Sequence, residues 1–208
     1  MKVGVLAVQG AVSEHMDALR AAASKLCIDV EPVAVRTVAD LAGCAGLILP
    51  GGESTTISRL LRSSGLQPVV LERAGKDLAL FGTCAGLILL SKSATHDVDN
   101  KDIQLLGLLD CEVDRNAFGR QKDSFESELD VAGIGKVPAV YIRAPVVTKA
   151  EAPTEVLAKT EKGIIVVRKG NILGSAFHPE LTGDTRMHEA FLKMCQSANE
   201  AANEFTIA

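Results

Sequence analysis

The strongest constraint on the fold is an alternation that runs through the first half of the chain. Short Val- and Leu-rich runs alternate with apolar residues set at helical spacing. KVGVLAV (Lys2 to Val8) is the kind of run needed by a parallel strand buried on both faces. Val12, Met16, Leu19, Ala23 and Leu26 follow as a helical stripe. IDVEPVAV reads as a second strand and AGLIL (Ala45 to Leu49) as a third. PGGEST then breaks the chain, and TTISRLLRSSG reads as a helix ended by Gly65. DLALF is the fourth strand, and CAGLILLSK opens the next helix. This order predicts an α/β fold: a doubly wound, mostly parallel sheet with right-handed crossovers and helices on both faces.

The texture changes after about Asp97. LLGLLDCEVDRN, DSFESELDV, AVYIRAP, EVLAKT, GIIVVRKG and NILGSAF read as short strands separated by turn signals, with a hairpin candidate at KGN. The stretch from Asp184 to Glu204 reads as an amphipathic helix. No composition shift marks a linker, so residues 1–208 are expected to form a single domain. With 208 residues and 47% hydrophobic composition, the chain can fill one core. A net charge of −4 argues against a nucleic-acid partner, which calls for a basic face. The apolar run at the N-terminus stops at Gln9 without a cleavage signal, and Leu78 to Leu90 is too short to span a bilayer. A soluble, cytoplasmic protein with no membrane contact is expected. The five cysteines form no CxxC pair, which favours reduced thiols. The histidines form no metal-ligand cluster with them, so no metal is expected.

In open sheets of this kind ligands bind beyond the carboxyl ends of the strands. Three breaks fall at such ends: PGGES, GTCAG and HPE. Gly82-Thr83-Cys84-Ala85-Gly86 has the Gly-x-nucleophile-x-Gly form of a strand-to-helix elbow, which sets Cys84 at a helix N-terminus. The Ala85 N–H is then a candidate oxyanion donor. Alone, the motif leaves catalysis and the packing of a buried thiol equally open. A nucleophilic cysteine needs a base and an orienting group, and His178 and Glu180 offer both. If the backbone there is extended, residues two apart project to one side. The adjacent glycines Gly51 and Gly52 can turn N–H groups toward an oxyanion, and the same stretch reads as a plain loop followed by an N-cap, with Ser54 or Thr55 starting the helix; both can hold at once. His15, His96 and His188 are expected to play ordinary roles in a helix, a polar loop and a helix. Cys27, Cys44, Cys111 and Cys195 read as structural thiols.

VQGAVSEH, LPGGESTT, FGTCAGLILL, RNAFGRQKDSFE, YIRAP and SAFHPELT occur in this order. Together they closely resemble the glutaminase subunits of pyridoxal 5′-phosphate synthase, class I (triad) glutamine amidotransferases with a flavodoxin-like fold. The resemblance runs from Lys2 to Met194. It implies hydrolysis of L-glutamine to glutamate and ammonia through a γ-glutamyl thioester on Cys84. His178 would act as acid and base, Glu180 would orient it, and Ala85, Gly51 and Gly52 would supply the oxyanion hole. It further implies that Gly52, Glu53, Ser54, Arg115, Ile142 and Arg143 hold glutamine. Arg115 and Arg143 suit the substrate carboxylate and Glu53 its ammonium. The implied partner is the synthase subunit of pyridoxal 5′-phosphate synthase, whose (β/α)₈ barrel receives the ammonia. Gln9 and Gly10 would lie near that interface, and docking would turn the oxyanion donors inward. No cofactor is implied, because pyridoxal phosphate is the product of the complex. LCIDVEPVAVRTVADLAGCAG and THDVDNKDIQ are longer than the family pattern, between the motifs.

Other readings are weaker. RNAFGRQKDSFE argues against a glutaminase serving another synthase. Cysteine-elbow stress and chaperone proteins that resemble proteases usually carry His directly after the elbow cysteine, where this chain has Ala85. An inactive regulatory module has no use for an intact Cys84, His178 and Glu180.

Overall fold

The computed structural model describes residues 1–95, 103–115, 117 and 124–206, with backbone alone from 201 onward. The first half alternates as its sequence predicts: β1 (Lys2–Leu6), α1 (Val12–Leu26), β2 (Glu31–Val35), α2 (Val38–Leu41), β3 (Cys44–Leu49), α3 (Ser54–Ser63), α4 (Leu66–Arg73), β4 (Ala79–Thr83) and α5 (Ala85–Leu90). The strand-rich part follows as β5 (Ser91–Thr95), β6 (Leu109–Asp114), β7 (Phe125–Val131), β8 (Gly135–Tyr141), β9 (Val146–Ala150), β10 (Glu155–Thr160), β11 (Gly163–Lys169) and β12 (Ile172–Ser175). A 3₁₀ turn (Pro179–Leu181) and α6 (Arg186–Thr206) end the chain.

The main sheet runs β2-β1-β3-β4-β12-β11-β9-β6-β5, with β10 paired to β11. Its first five strands are mutually parallel, and β11 and β9 introduce antiparallel pairing. The KGN hairpin is present as the β11–β12 turn, where Lys169 pairs with Ile172 and Gly170 takes a positive φ of 56°. A separate two-stranded hairpin, β7–β8, stands outside the main sheet.

Helices cover both faces. On one face α6 packs against α1 and over β3 and β4, and on the other α5 packs against α3, β4 and β12. β3 is buried at every residue, as its continuous apolar sequence requires. Gly46 on β3 lets α6 approach, since a Cβ there would lie 2.3 Å from Cys195 Sγ and 2.9 Å from a Phe191 ring carbon.

The sequence pattern missed two helices, and both have local explanations. α2 is a single turn, too short for periodicity, but Thr37 and Asp40 form a capping box that marks its start. α4 contains Pro68, which is tolerated because it stands in the first turn, where backbone N–H groups lack intrahelical partners. Of the two long inter-motif segments, the first is β2, α2 and the start of β3. The second, with His96, falls largely outside the described residues, as does most of RNAFGRQKDSFE.

Because the β3–α6 contact is already close-packed, Gly46→Ala should destabilise the chain by about 1–3 kcal/mol. Thermal unfolding should then show a melting temperature lower by roughly 3–10 °C. Adding Cys195→Ala should recover part of that loss, and an unchanged melting temperature for Gly46→Ala would refute the packing account.

Candidate active site

Parallel pairing brings β3, β4 and β12 to a common carboxyl edge. There the three predicted loops meet. Cys84 follows β4 directly, and its N–H donates to Ser175 O at the end of β12, 2.8 Å away. His178 lies three residues beyond Ser175, and its N–H donates to Val140 O on β8, also at 2.8 Å. This bond ties β8 of the separate hairpin to His178.

Cys84 sits at φ 48°, ψ −102°, a strained conformation for a residue with a Cβ. The glycines around it are steric necessities. A Cβ on Gly86 would stand 1.9 Å from Leu49 O, and one on Gly82 would stand 2.5 Å from the Gly86 carbonyl carbon. The turn therefore seats tightly against the end of β3 and holds the strained residue in place. Cys84 is 8% exposed, with its Sγ 3.9 Å from Ile142 O.

His178 Nδ1 lies 2.8 Å from Glu180 Oε1, and both residues are buried. The expected extended backbone is not what joins them. Glu180 lies in the 3₁₀ turn Pro179–Leu181, which folds its carboxylate back to the ring. Burial disfavours charge on His178, but its contacts with Cys84 and Glu180 more than offset this and raise its pKa to about 10. The ring packs on the backbone of Gly51, where a Cβ would lie 2.3 Å from its Cε1.

The PGGES loop is held from below and from the side. Gly51 N–H donates to Thr83 Oγ1 at 3.0 Å, and Glu53 N–H donates to Gln9 Oε1 at 2.9 Å. Gln9 and Gly10 are exposed on the loop after β1. Glu53 is the N-cap of α3 and its carboxylate accepts from the N–H groups of Thr55 and Thr56. Burial opposes its ionisation, yet these bonds prevail and keep its pKa below the usual value. Arg115, just past β6, reaches Ser54 Oγ with Nη2 at 2.9 Å. Arg143 is exposed at φ 46°, next to the half-exposed Ile142, on the loop that follows β8.

Two residues given ordinary helical roles by sequence belong here instead. His15 and His188 are fully buried behind the Glu180 carboxylate. His15 Nε2 is 3.1 Å from Thr83 Oγ1 and 3.4 Å from Glu180 Oε2, while its Nδ1 is 3.0 Å from His188 Nε2. Their helical spacing offers no signal for this, because α1 and α6 meet only in three dimensions. By contrast the structural reading of Cys44, Cys111 and Cys195 fits their surroundings. Burial pushes all three thiols up, Cys111 to about 12, whereas Cys27 is exposed on the surface.

The sequence profile of the SNO glutamine amidotransferase family matches residues 5–197. The pyridoxal 5′-phosphate synthase subunit PdxT of Archaeoglobus fulgidus is 50% identical over 198 residues, covering 95% of this chain and 100% of that protein. Its namesake in Methanoregula boonei is 53% identical over 197 residues, covering 93% and 98%. A crystal structure of a glutamine amidotransferase matches with a TM-score of 0.82 at 46% identity, covering 93% of this chain and 98% of that one. A glutamine amidotransferase from Thermotoga maritima shares the fold at 13% identity, with a TM-score of 0.59, covering 98% of this chain and 90% of that one.

The buried histidines have a consequence for acid stability. Burial lowers the His188 pKa from 6.5 to about 4, so between those values the unfolded chain binds more protons than the folded one. The contribution of His188 to stability is therefore full above about pH 6.5 and falls as the pH drops through that window, by up to about 1.4 kcal/mol per unit. Urea unfolding at about pH 7 and about pH 4.5 should show the loss, and His188→Gln should flatten it. An unaltered pH dependence in that variant would refute the assignment.

Proposed function

The chain belongs to the SNO glutamine amidotransferase family, and on that premise we propose that it hydrolyses L-glutamine and delivers the ammonia to a pyridoxal 5′-phosphate synthase subunit. The observation that carries the chemistry is the buried 2.8 Å contact of His178 with Glu180, set beside a strained Cys84 on an adjacent strand end. The full-length likeness to the PdxT subunits supports the substrate and the destination of the ammonia. In this reading residues 1–208 work as one amidotransferase domain, and the partner is a (β/α)₈ barrel.

Cys84 attacks the side-chain amide carbon of glutamine and forms a tetrahedral intermediate. The Ala85 N–H, first in α5, and the Gly51–Gly52 pair stabilise the oxyanion. Gly51 N–H already donates to Thr83. The peptide has to turn before that group can serve the substrate, which accords with an enzyme switched on by its partner. His178, held protonated by its contacts with Glu180 and Cys84, gives its proton to the departing ammonia. The neutral ring then takes a proton from water, which attacks the γ-glutamyl thioester and frees glutamate. Glu180 keeps the ring in the required orientation throughout.

Glutamine's carboxylate and ammonium need groups of opposite charge. Arg115 and Ser54, already bonded to one another, and Arg143 with Ile142 form the carboxylate side, while Gly52 and Glu53 form the ammonium side. Glu53 stays ionised through its N-cap bonds and so keeps the charge this role requires. Gln9 and Gly10, exposed beside that loop, are placed to read the docked partner and pass its contact to Glu53. Among the described residues no helix is long and apolar enough to cross a membrane.

Ammonia release from glutamine by the purified chain, with and without its synthase subunit, tests this directly. Wild type should hydrolyse glutamine mainly with the partner present. Cys84→Ala should lose at least roughly a thousandfold in kcat, and Glu180→Gln roughly a hundredfold or more. Full activity in Cys84→Ala would sink the nucleophile assignment.

A further inference from the structure

Glu180 faces two histidines, and only one of them belongs to the proposed triad. Its Oε1 is taken by His178, and its Oε2 is buried without a hydrogen-bond partner in the present geometry. A buried carboxylate oxygen left unmet costs far more than a typical hydrogen bond contributes. The donor within reach is His15 Nε2, at 3.4 Å. Its other neighbour, Thr83 Oγ1, already accepts from Gly51 N–H.

The tautomer of His15 follows from its surroundings. Burial foremost, then the repulsion that a protonated His188 or His178 would exert, hold its pKa well below 6.5, so the ring is neutral and carries one N–H. With that proton on Nδ1, the Nε2 lone pair would point at the Glu180 carboxylate inside the protein. With it on Nε2, the N–H serves Thr83 Oγ1 at 3.1 Å and stands 3.4 Å from Glu180 Oε2, where a small turn of the ring brings the two into hydrogen-bonding alignment. Nδ1 is then an acceptor, and His188 Nε2, 3.0 Å away, is its donor. His188 is likewise neutral at ordinary pH, because burial depresses its pKa. Among the described residues no three His, Cys, Asp or Glu side chains converge to hold a metal, so a hydrogen-bonded chain is the use these rings have.

We propose that His15 is a positioning residue for the amide hydrolysis, holding the second oxygen of Glu180 through Nε2–H, with His188 fixing its tautomer. The catalytic line thus extends from Cys84 through His178 and Glu180 to His15 and His188, across the α1–α6 contact. Thr83 ties the same ring to Gly51, so the histidine also steadies the oxyanion loop. The proposal rests on Cys84, His178 and Glu180 being the triad.

Glutamine hydrolysis by the full chain with its synthase subunit tests it, using His15→Gln and His15→Asn in wild-type and Glu180→Gln backgrounds. Glutamine carries an amide N–H to the position of Nε2, whereas asparagine reaches only that of Nδ1. His15→Asn should lower kcat roughly tenfold to a hundredfold with KM within about twofold, and His15→Gln should recover most of that loss. In the Glu180→Gln background His15→Asn should change kcat by less than about twofold, because its route of action is gone. Equal kcat for the two variants, a loss confined to KM, or an undiminished effect without Glu180 overturns the proposal. Should His15→Asn not fold, His188→Leu carries the test, and must show the same kcat-only, Glu180-dependent loss. A Cys84→Ala variant as active as wild type would instead remove the triad reading, and this proposal with it, whatever His15 shows.

Discussion

Glu180 is a carboxyl group withdrawn almost wholly from water, and buried polar side chains at the centre of the molecule gather around it. One oxygen holds His178, whose own burial is offset by that contact and by Cys84. The other faces His15, which connects to Thr83 beneath the Gly51–Gly52 loop and to His188 on the last helix. That second oxygen has no hydrogen-bond partner in the present geometry and His15 is the ring that faces it, so one buried cluster links the site to the packing of α1 on α6. Few places in a core combine this much polarity with complete burial, and polar groups so placed constrain how their neighbours can be arranged.

The sheet provides the frame. Because β3, β4 and β12 are parallel neighbours, each delivers its following loop to the same edge. The elbow presses its Gly86 against the last carbonyl of β3, which fixes the height of Cys84 relative to the Gly51–Gly52 pair. His178 comes to the same level through β12. Beyond β12 the neighbouring strands β11, β9 and β6 pair antiparallel, and it is the loop after β8 that brings the Ile142 carbonyl to Cys84.

Local patterns made much of this legible. The Val- and Leu-rich runs and the helical stripes identify the buried strands and the longer helices, since two-sided burial and one-sided burial leave different apolar periods. The thiol between two glycines, and the histidine and glutamate two residues apart, stand out as the proposed site because their motifs are short and contiguous. α2 and α4 were less visible, one being a single capped turn and the other carrying a proline in its first turn. The 3₁₀ turn that joins His178 to Glu180 gave the expected contact by an unexpected backbone path.

Sequence by itself thus determined the doubly wound class and the family to which the chain belongs, and it singled out Cys84, His178 and Glu180 as the residues of the proposed triad. Tertiary structure alone decided what stands behind them. His15 and His188 lie 173 positions apart, and each looks like an ordinary residue of an amphipathic helix. Their meeting depends on the crossover that lays α6 beside α1. Their neutrality depends on the complete loss of water there. Neither pairing nor desolvation leaves a local pattern in the chain, because both are properties of surfaces brought together by folding.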